Sequence, residues 1–222
     1  MLSVIVPVYN EVKNIARVIE KINAVAIDKE IIVVDDNSND GTDKVLRGLS
    51  YPNLKIVYHS SNRGKGGAIL TGLSQADGEY VIVEDADFEY DSGDYFKLFD
   101  AMQKGQGDVI LGARFTDGYC GRFLHKAGNR FLTGLLNMLF GVKLNDSLTC
   151  YKLMRRADLN NLALVSNGFD IEIEILAKAI KKGMRIAEVP VSYNPRAYSE
   201  GKKIRISDGL WAAIRIIRFR FF

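Results

Sequence analysis

The chain has 222 residues, 47% of them hydrophobic and 26% charged, enough for one soluble globular α/β domain with a sizeable core. Its formal net charge of +3 singles out no class of partner and gives no reason to expect nucleic acid. No uninterrupted apolar run reaches the roughly 20 residues that span a bilayer, so the chain is not expected to cross a membrane.

The amino terminus opens directly on an apolar strand, Leu2–Val6, followed by the loop Pro7-Val8-Tyr9-Asn10-Glu11. With no secretory signal ahead of that strand, the expected compartment is the cytoplasm. Ile15, Val18, Ile19 and Ile22 recur at a helical period. Glu30–Val34 reads as a second buried strand ending at Asp35-Asp36. The turn after it offers Asp40 or Thr42 as the cap of the next helix. Leu54–Tyr58 is a third strand. Asn62–Gly67 is glycine-rich and leads into a helix through about Gln75. Those glycines read as a possible phosphate cradle, although the full GxxxxGK[ST] pattern of a P-loop is missing.

The fourth strand, Tyr80–Val83, ends abruptly in Glu84-Asp85-Ala86-Asp87. In extended chain, residues i and i+2 point the same way, so Asp85 and Asp87 converge beyond a strand end. Two like charges held together call for a compensating cation. Carboxylate oxygens suit magnesium or manganese, which reach protein through one or two carboxylates plus substrate phosphates. The residues alone therefore point to a metal–nucleotide site at a sheet edge.

Farther along, Asp108–Ala113 reads as a strand ending at Arg114, Gly128–Phe140 and Asp170–Lys181 as helices, and Arg185–Tyr193 as a strand. Arg196–Arg205 is a basic loop. Asp208–Phe222 is a helix in which Trp211, Ile214, Ile217 and Phe221 interleave with Arg215, Arg218 and Arg220. This tail carries much of the positive charge and suits a membrane surface. The expected division is residues 1–195 as the catalytic domain and 196–222 as the basic loop and amphipathic helix. Alternating strands and helices predict a doubly wound, mostly parallel sheet flanked by helices, with ligands at the carboxyl ends of its strands. Cys120 and Cys150 lack any CxxC partner, so structural zinc is not expected. His59 and His125 stand in no metal-ligand spacing and read as structural or surface residues.

Pro7-Val8-Tyr9-Asn10-Glu11, Val34-Asp35-Asp36-Asn37-Ser38, Asn62-Arg63-Gly64-Lys65-Gly66 and Asp85-Ala86-Asp87 follow one another as in inverting glycosyltransferases of the GT-A fold, family 2. Gly112-Ala113-Arg114, Asp146–Lys152, Gly168-Phe169-Asp170-Ile171-Glu172 and Arg196–Ile204 extend the likeness over the whole chain. Together the set resembles the dolichol- or polyprenyl-phosphate mannosyl- and glucosyltransferase branch. Glu89 stands where this branch often has Gln. The Gln-x-x-Arg-Trp motif of processive members is absent.

The resemblance implies a GT-A fold and transfer of one hexose, with inversion, from a nucleotide-sugar of GDP-mannose or UDP-glucose type to a polyprenyl phosphate. Acceptors such as a soluble sugar, a glycan or a protein remain open, as does a non-catalytic nucleotide-sugar-binding module. It implies Asp85, Asp87 and Glu89 as ligands of Mg2+ or Mn2+, with Asp87, Arg114 and Asp146 as catalytic residues. Pro7, Tyr9, Glu11, Asp36, Lys65, Asp85, Arg196 and Lys202 would bind the donor, with Lys203 beside Lys202. Arg114 and Arg130 would bind the acceptor phosphate. Asp35 reads as structural.

Overall fold

A computed structural model describes residues 1–114, 123–195 and 206–221. Seven strands form one sheet in the order β3-β2-β1-β4-β6-β5-β7. They are β1 (Leu2–Val8), β2 (Lys29–Asp35), β3 (Leu54–Tyr58), β4 (Tyr80–Val83), β5 (Val109–Ala113), β6 (Lys152–Arg155) and β7 (Ile186–Pro190). The helices are α1 (Ile15–Ala24), α2 (Thr42–Arg47), α3 (Gly64–Ser74), α4 (Tyr95–Gln103), α5 (Phe123–Phe140), α6 (Arg156–Asn161), α7 (Ile171–Lys181) and α8 (Ile206–Phe221).

The parallel strands follow from their composition. Val4, Ile5 and Val6 of β1 and Ile31, Ile32, Val33 and Val34 of β2 are all fully buried. Runs apolar on both faces belong in a sheet covered on both sides. The sheet is mostly parallel, as expected, but β6 runs antiparallel to both β4 and β5. That strand is absent from the sequence reading: it is four residues long and begins and ends on Lys152 and Arg155.

The strand order places the site. From β1 the chain winds outward through β2 to β3, then returns to lay β4 on the other side of β1. This reversal opens a crevice at the carboxyl ends of β1 and β4, where open α/β sheets bind ligands. Pairing of β1 with β4 runs from Leu2↔Tyr80 to Ile5↔Val83, while pairing with β2 continues to Val8↔Asp35. Ile5 O accepts from Glu84 N at 2.9 Å, and beyond it the two strands part. Pro7 is in phase with Ile5, so its missing N–H faces the gap and removes no ladder bond.

The carboxyl-terminal helix packs on α5 and α7. Ile216 is fully buried, and Ala212, Ala213 and Phe219 rest against the core. Leu210, Trp211, Ile214, Ile217 and Phe221 point outward, joined by Phe131 and Met138 of α5. Among the described residues, no helix is long and apolar enough to cross a membrane.

Candidate active site

Glu84 to Asp87 leave β4 with alternating burial and enter a turn at Ala86 and Asp87. Glu84 and Ala86 turn inward, 2% and 5% exposed, while Asp85 and Asp87 reach the crevice half-buried. Asp87 Oδ1 accepts from Glu89 N at 3.1 Å. Phe88, with a φ of 67°, takes a left-handed conformation uncommon for an aromatic residue. Arg17 and Lys21 both approach its ring, their charges 4.5 and 4.4 Å from its centroid.

Lys65 projects from the first turn of α3 into this acid. Its Nζ lies 2.7 Å from Asp85 Oδ1 and 2.9 Å from Glu172 Oε1. The other Glu172 oxygen pairs with Lys152 Nζ at 2.6 Å. Burial works against the charge on Lys65, yet Asp85 and Glu172 hold its pKa well above the ordinary value. Burial would likewise raise the Asp85 carboxyl, but Lys65 and, more weakly, Arg114 hold it below the usual range.

Arg114 ends β5 and grips Asp146 with both prongs of its fork. Nε donates to Oδ2 at 2.7 Å and the terminal nitrogen to Oδ1 at 2.9 Å, while the Arg114 backbone N–H adds a third bond at 3.1 Å. Asn129 of α5 donates to Asp146 Oδ1 at 2.8 Å. Asp146 is fully buried. Burial pushes its pKa up, and the Arg114 guanidinium overcomes this and keeps it low. An acid so engaged orients Arg114.

Four further expectations change. Asp36 is 3% exposed, and its carboxylate accepts from the backbone N–H groups of Arg63 and Gly64, each at 2.8 Å. The Gly67 N–H goes to Asn167 O at 3.2 Å. Three amides of the glycine-rich segment, those of Arg63, Gly64 and Gly67, are therefore already taken by a carboxylate or a carbonyl and are not open to a phosphate. Asp36 anchors α3 instead, and His59 joins it, bonded to Asp36 at 2.7 Å and to Thr71 at 2.9 Å. Glu89, expected as a third metal ligand, is 7% exposed and accepts from the Tyr193 hydroxyl. Among the described residues, no three His, Cys, Asp or Glu side chains gather to hold a metal. The helix cap foreseen at Asp40 or Thr42 falls at Gly41, with Asp40 accepting from Thr42 N at 3.0 Å.

On the opposite wall, Tyr9 is 37% exposed and Pro7 half-buried. Glu11 is buried and accepts from Asn14 at 2.8 Å. Asp35 accepts from Ser38 N at 3.2 Å, which holds the turn after β2. Arg130 is exposed on α5, one residue beyond Asn129. Arg196, Lys202, Lys203 and Cys120, and the side chain of His125, lie outside what the structure describes.

Glu84, Lys152 and the pairing of Lys65 with Glu172 were not foreseen. Glu84 accepts from the hydroxyls of Tyr95, at 2.6 Å, and Tyr151. Burial, helped by the charges of Asp85 and Asp87, raises its pKa to about 8, against the lowering effect of those two bonds. The alternation that turns Asp85 outward turns Glu84 inward, so the signal was present in the spacing.

The donor set suits a hard divalent cation at Asp85 and Asp87: two half-buried carboxylates, one already paired with a cation in Lys65. Glu89 is engaged by the Tyr193 hydroxyl instead.

Residues 3–163 match glycosyl transferase family 2. The chain belongs to that family. It is 29% identical over 223 residues to the low-salt glycan biosynthesis hexosyltransferase Agl6 of Haloferax volcanii, covering 97% of this chain and 52% of that one. It is 29% identical over 212 residues to the dolichol-phosphate mannosyltransferase of Pyrococcus furiosus, covering 90% of this chain and 58% of that one. The family 2 chain thus spans little more than half the length of these two relatives. Its fold is that of the glucosyl-3-phosphoglycerate synthase of Mycobacterium tuberculosis, solved with Mn2+, uridine diphosphate and phosphoglyceric acid. The TM-score is 0.74 at 19% identity, covering 100% of this chain and 79% of that one. The expected GT-A architecture is the one observed.

Proposed function

We propose that this chain transfers one hexose from a nucleotide-sugar to a polyprenyl phosphate, with inversion at the anomeric carbon. The observation that carries the reading is the kind of group around the acidic pair: Lys65 and Arg114 supply positive charge, while His59 is buried and engaged by Asp36 and Thr71. A phosphate monoester has a second pKa of about 6. Its oxygen attacks without a strong base, and the task left to the enzyme is to hold two anions together.

Arg114, its fork locked by Asp146, presents a charge that does not reorient during reaction. Arg130 on α5 is the second acceptor-phosphate arginine of this reading. Tyr9 and Glu11 form the donor side of the crevice. Asp85 and Asp87 would hold a divalent ion, which would supply charge neutralisation to the departing nucleoside diphosphate. Lys65 and the basic residues Arg196 and Lys202 bear on the same diphosphate.

Transfer of labelled sugar from GDP-mannose and UDP-glucose tests this directly, with a short-chain polyprenyl phosphate offered against free sugars. Product on the polyprenyl phosphate is expected. Product only on free sugars replaces the acceptor, and nucleotide-sugar binding without transfer points to a binding module.

The reading also places the protein at a membrane surface, since a polyprenyl chain is held there. The outward face of α8 suits this, with Trp211, Ile217 and Phe221 beside the exposed Arg218. Arg215 and Arg220 serve the fold as well: Arg215 lies 3.1 Å from Asp170, and Arg220 donates to Leu139 O at 2.7 Å. Arg218→Gln is therefore the cleaner probe. It is expected to weaken co-sedimentation with anionic vesicles about fivefold at low salt, the equivalent of about 1 kcal/mol for one basic residue. Undiminished co-sedimentation removes Arg218 from the membrane contact.

A further inference from the structure

We propose that Lys65 is the resident counter-cation of Asp85 and makes metal binding depend on the donor diphosphate. The inference rests on the reading of Asp85 and Asp87 as the donor's metal site, and it adds a coupling between two ligands that the reading does not contain.

Asp85, Lys65, Glu172 and Lys152 form an alternating row of charges, linked at 2.7, 2.9 and 2.6 Å. Lys65 and Glu172 are nearly buried and Lys152 is buried. The row has no net charge, which is the condition for keeping such groups out of water. A divalent ion arriving alone at Asp85 adds two positive charges beside the Lys65 ammonium. Within the row nothing compensates them, and Asp87 beside it offers one negative charge against the two. An ion arriving with a diphosphate brings its own negative charge. Lys65 can then turn from Asp85 to a diphosphate oxygen while Glu172 keeps hold of it.

The backbone leaves Lys65 little other movement. Its neighbours Gly64 and Gly66 lie directly against the backbone of Ser166 to Gly168. A Cβ at Gly64 would come within 2.4 Å of Asn167 O, and one at Gly66 within 2.1 Å of Ser166 O. The facing segment is tied to α7 by Glu174, which accepts from Ser166 N at 2.8 Å. Lys65 and Glu172 are therefore presented to each other from two elements in direct backbone contact. The ammonium can move by side-chain rotation between Asp85 and the crevice, and not by withdrawal of α3. By linkage, whatever factor the diphosphate adds to metal affinity, the metal adds to diphosphate affinity.

The test measures free Mn2+ by its electron paramagnetic resonance signal, with wild type and Lys65→Met, each alone and with UDP or GDP, corrected for Mn2+ bound by free nucleotide. Wild type is expected to bind Mn2+ weakly alone and at least about tenfold more tightly with a diphosphate. Lys65→Met is expected to bind Mn2+ alone at least about tenfold more tightly than wild type and to lose most of the coupling. Lys65→Arg, which keeps the charge, should retain the weak binding of Mn2+ alone. Mn2+ binding by Lys65→Met alone that is no tighter than wild type, with circular dichroism unchanged, overturns the proposal. So does a wild type that binds Mn2+ equally well with and without diphosphate, whatever the variants do. If that same wild type still transfers sugar to polyprenyl phosphate, only this inference falls. If neither protein binds Mn2+ under any condition, the metal site falls with it.

Discussion

Removing one partner of the Arg114–Asp146 pair is expected to destabilise the fold by about 3–5 kcal/mol, because the other charge is left buried without its counter-ion. For a chain of this length each kcal/mol moves the melting temperature by about 2–4 °C, so Arg114→Ala and Asp146→Ala should each lower it by roughly 6–20 °C. The geometry supports the upper part of that range. Asp146 is fully exclusive of solvent and takes both prongs of the guanidinium, and Arg114 is 13% exposed. The double variant Arg114→Ala, Asp146→Ala removes both charges together, so its loss should be smaller than the sum of the two single losses. Urea unfolding of all three variants measures this cycle. Simple additivity would mean that the two side chains act independently, contrary to the bidentate contact. Arg114→Lys separates fold from function. It keeps the charge and loses the planar fork, so transfer should fall much more than stability.

The same pair shows where sequence reading stops. Arg114 and Asp146 were each visible as residues of interest, one at a strand end and the other in a short polar run. Their contact was not visible, because it depends on the loop before β6 folding back over the end of β5. Strand β6 itself carries no alternation long enough to detect. By contrast β1, β2, β4 and β5 announce themselves as apolar runs that stop at charged or glycine-rich turns, and the parallel pattern follows. The acidic pair was legible for the same reason: period-two geometry needs only local sequence. Lys65 was legible as a lysine ahead of a helix, but its two carboxylate partners come from the turn after β4 and from α7. The glycines around it suggested an anion cradle, since a row of free amides and a row of occupied amides have the same sequence. Only the position of Asp36 distinguishes them. On α8 the exposed stripe was named correctly, but not the second apolar stripe of Ala212, Ala213 and Ile216 that seats the helix on the core.

Gly66→Ala is expected to be among the most damaging single-methyl additions in the chain. The new Cβ would meet Ser166 O at 2.1 Å, Asn167 C at 2.8 Å and Ser166 C at 2.9 Å. All three are backbone atoms, so no rotamer change relieves the contact. Either α3 or the segment before α7 must move. Overpacking of a tight site commonly costs 1–3 kcal/mol, and a backbone clash at this distance belongs at about 3 kcal/mol or more. Helix propensity alone predicts the opposite sign, since alanine is better than glycine in a helix by about 0.8–1.0 kcal/mol. Gly134 of α5 serves as the control: its Cβ would meet nothing within 4 Å, so Gly134→Ala should stabilise by about that propensity difference. The comparison of melting temperatures therefore has opposite expected signs for the same chemical change in two helices. Gly66→Ala has a second consequence, because any shift that relieves the clash pulls Lys65 away from Glu172. The variant that retains a folded population should then bind a nucleoside diphosphate more weakly as well. If Gly66→Ala were as stable as wild type, α3 and the segment at Ser166 and Asn167 could not be in backbone contact. The fixed placement of Lys65 over Asp85 would then lose its physical basis.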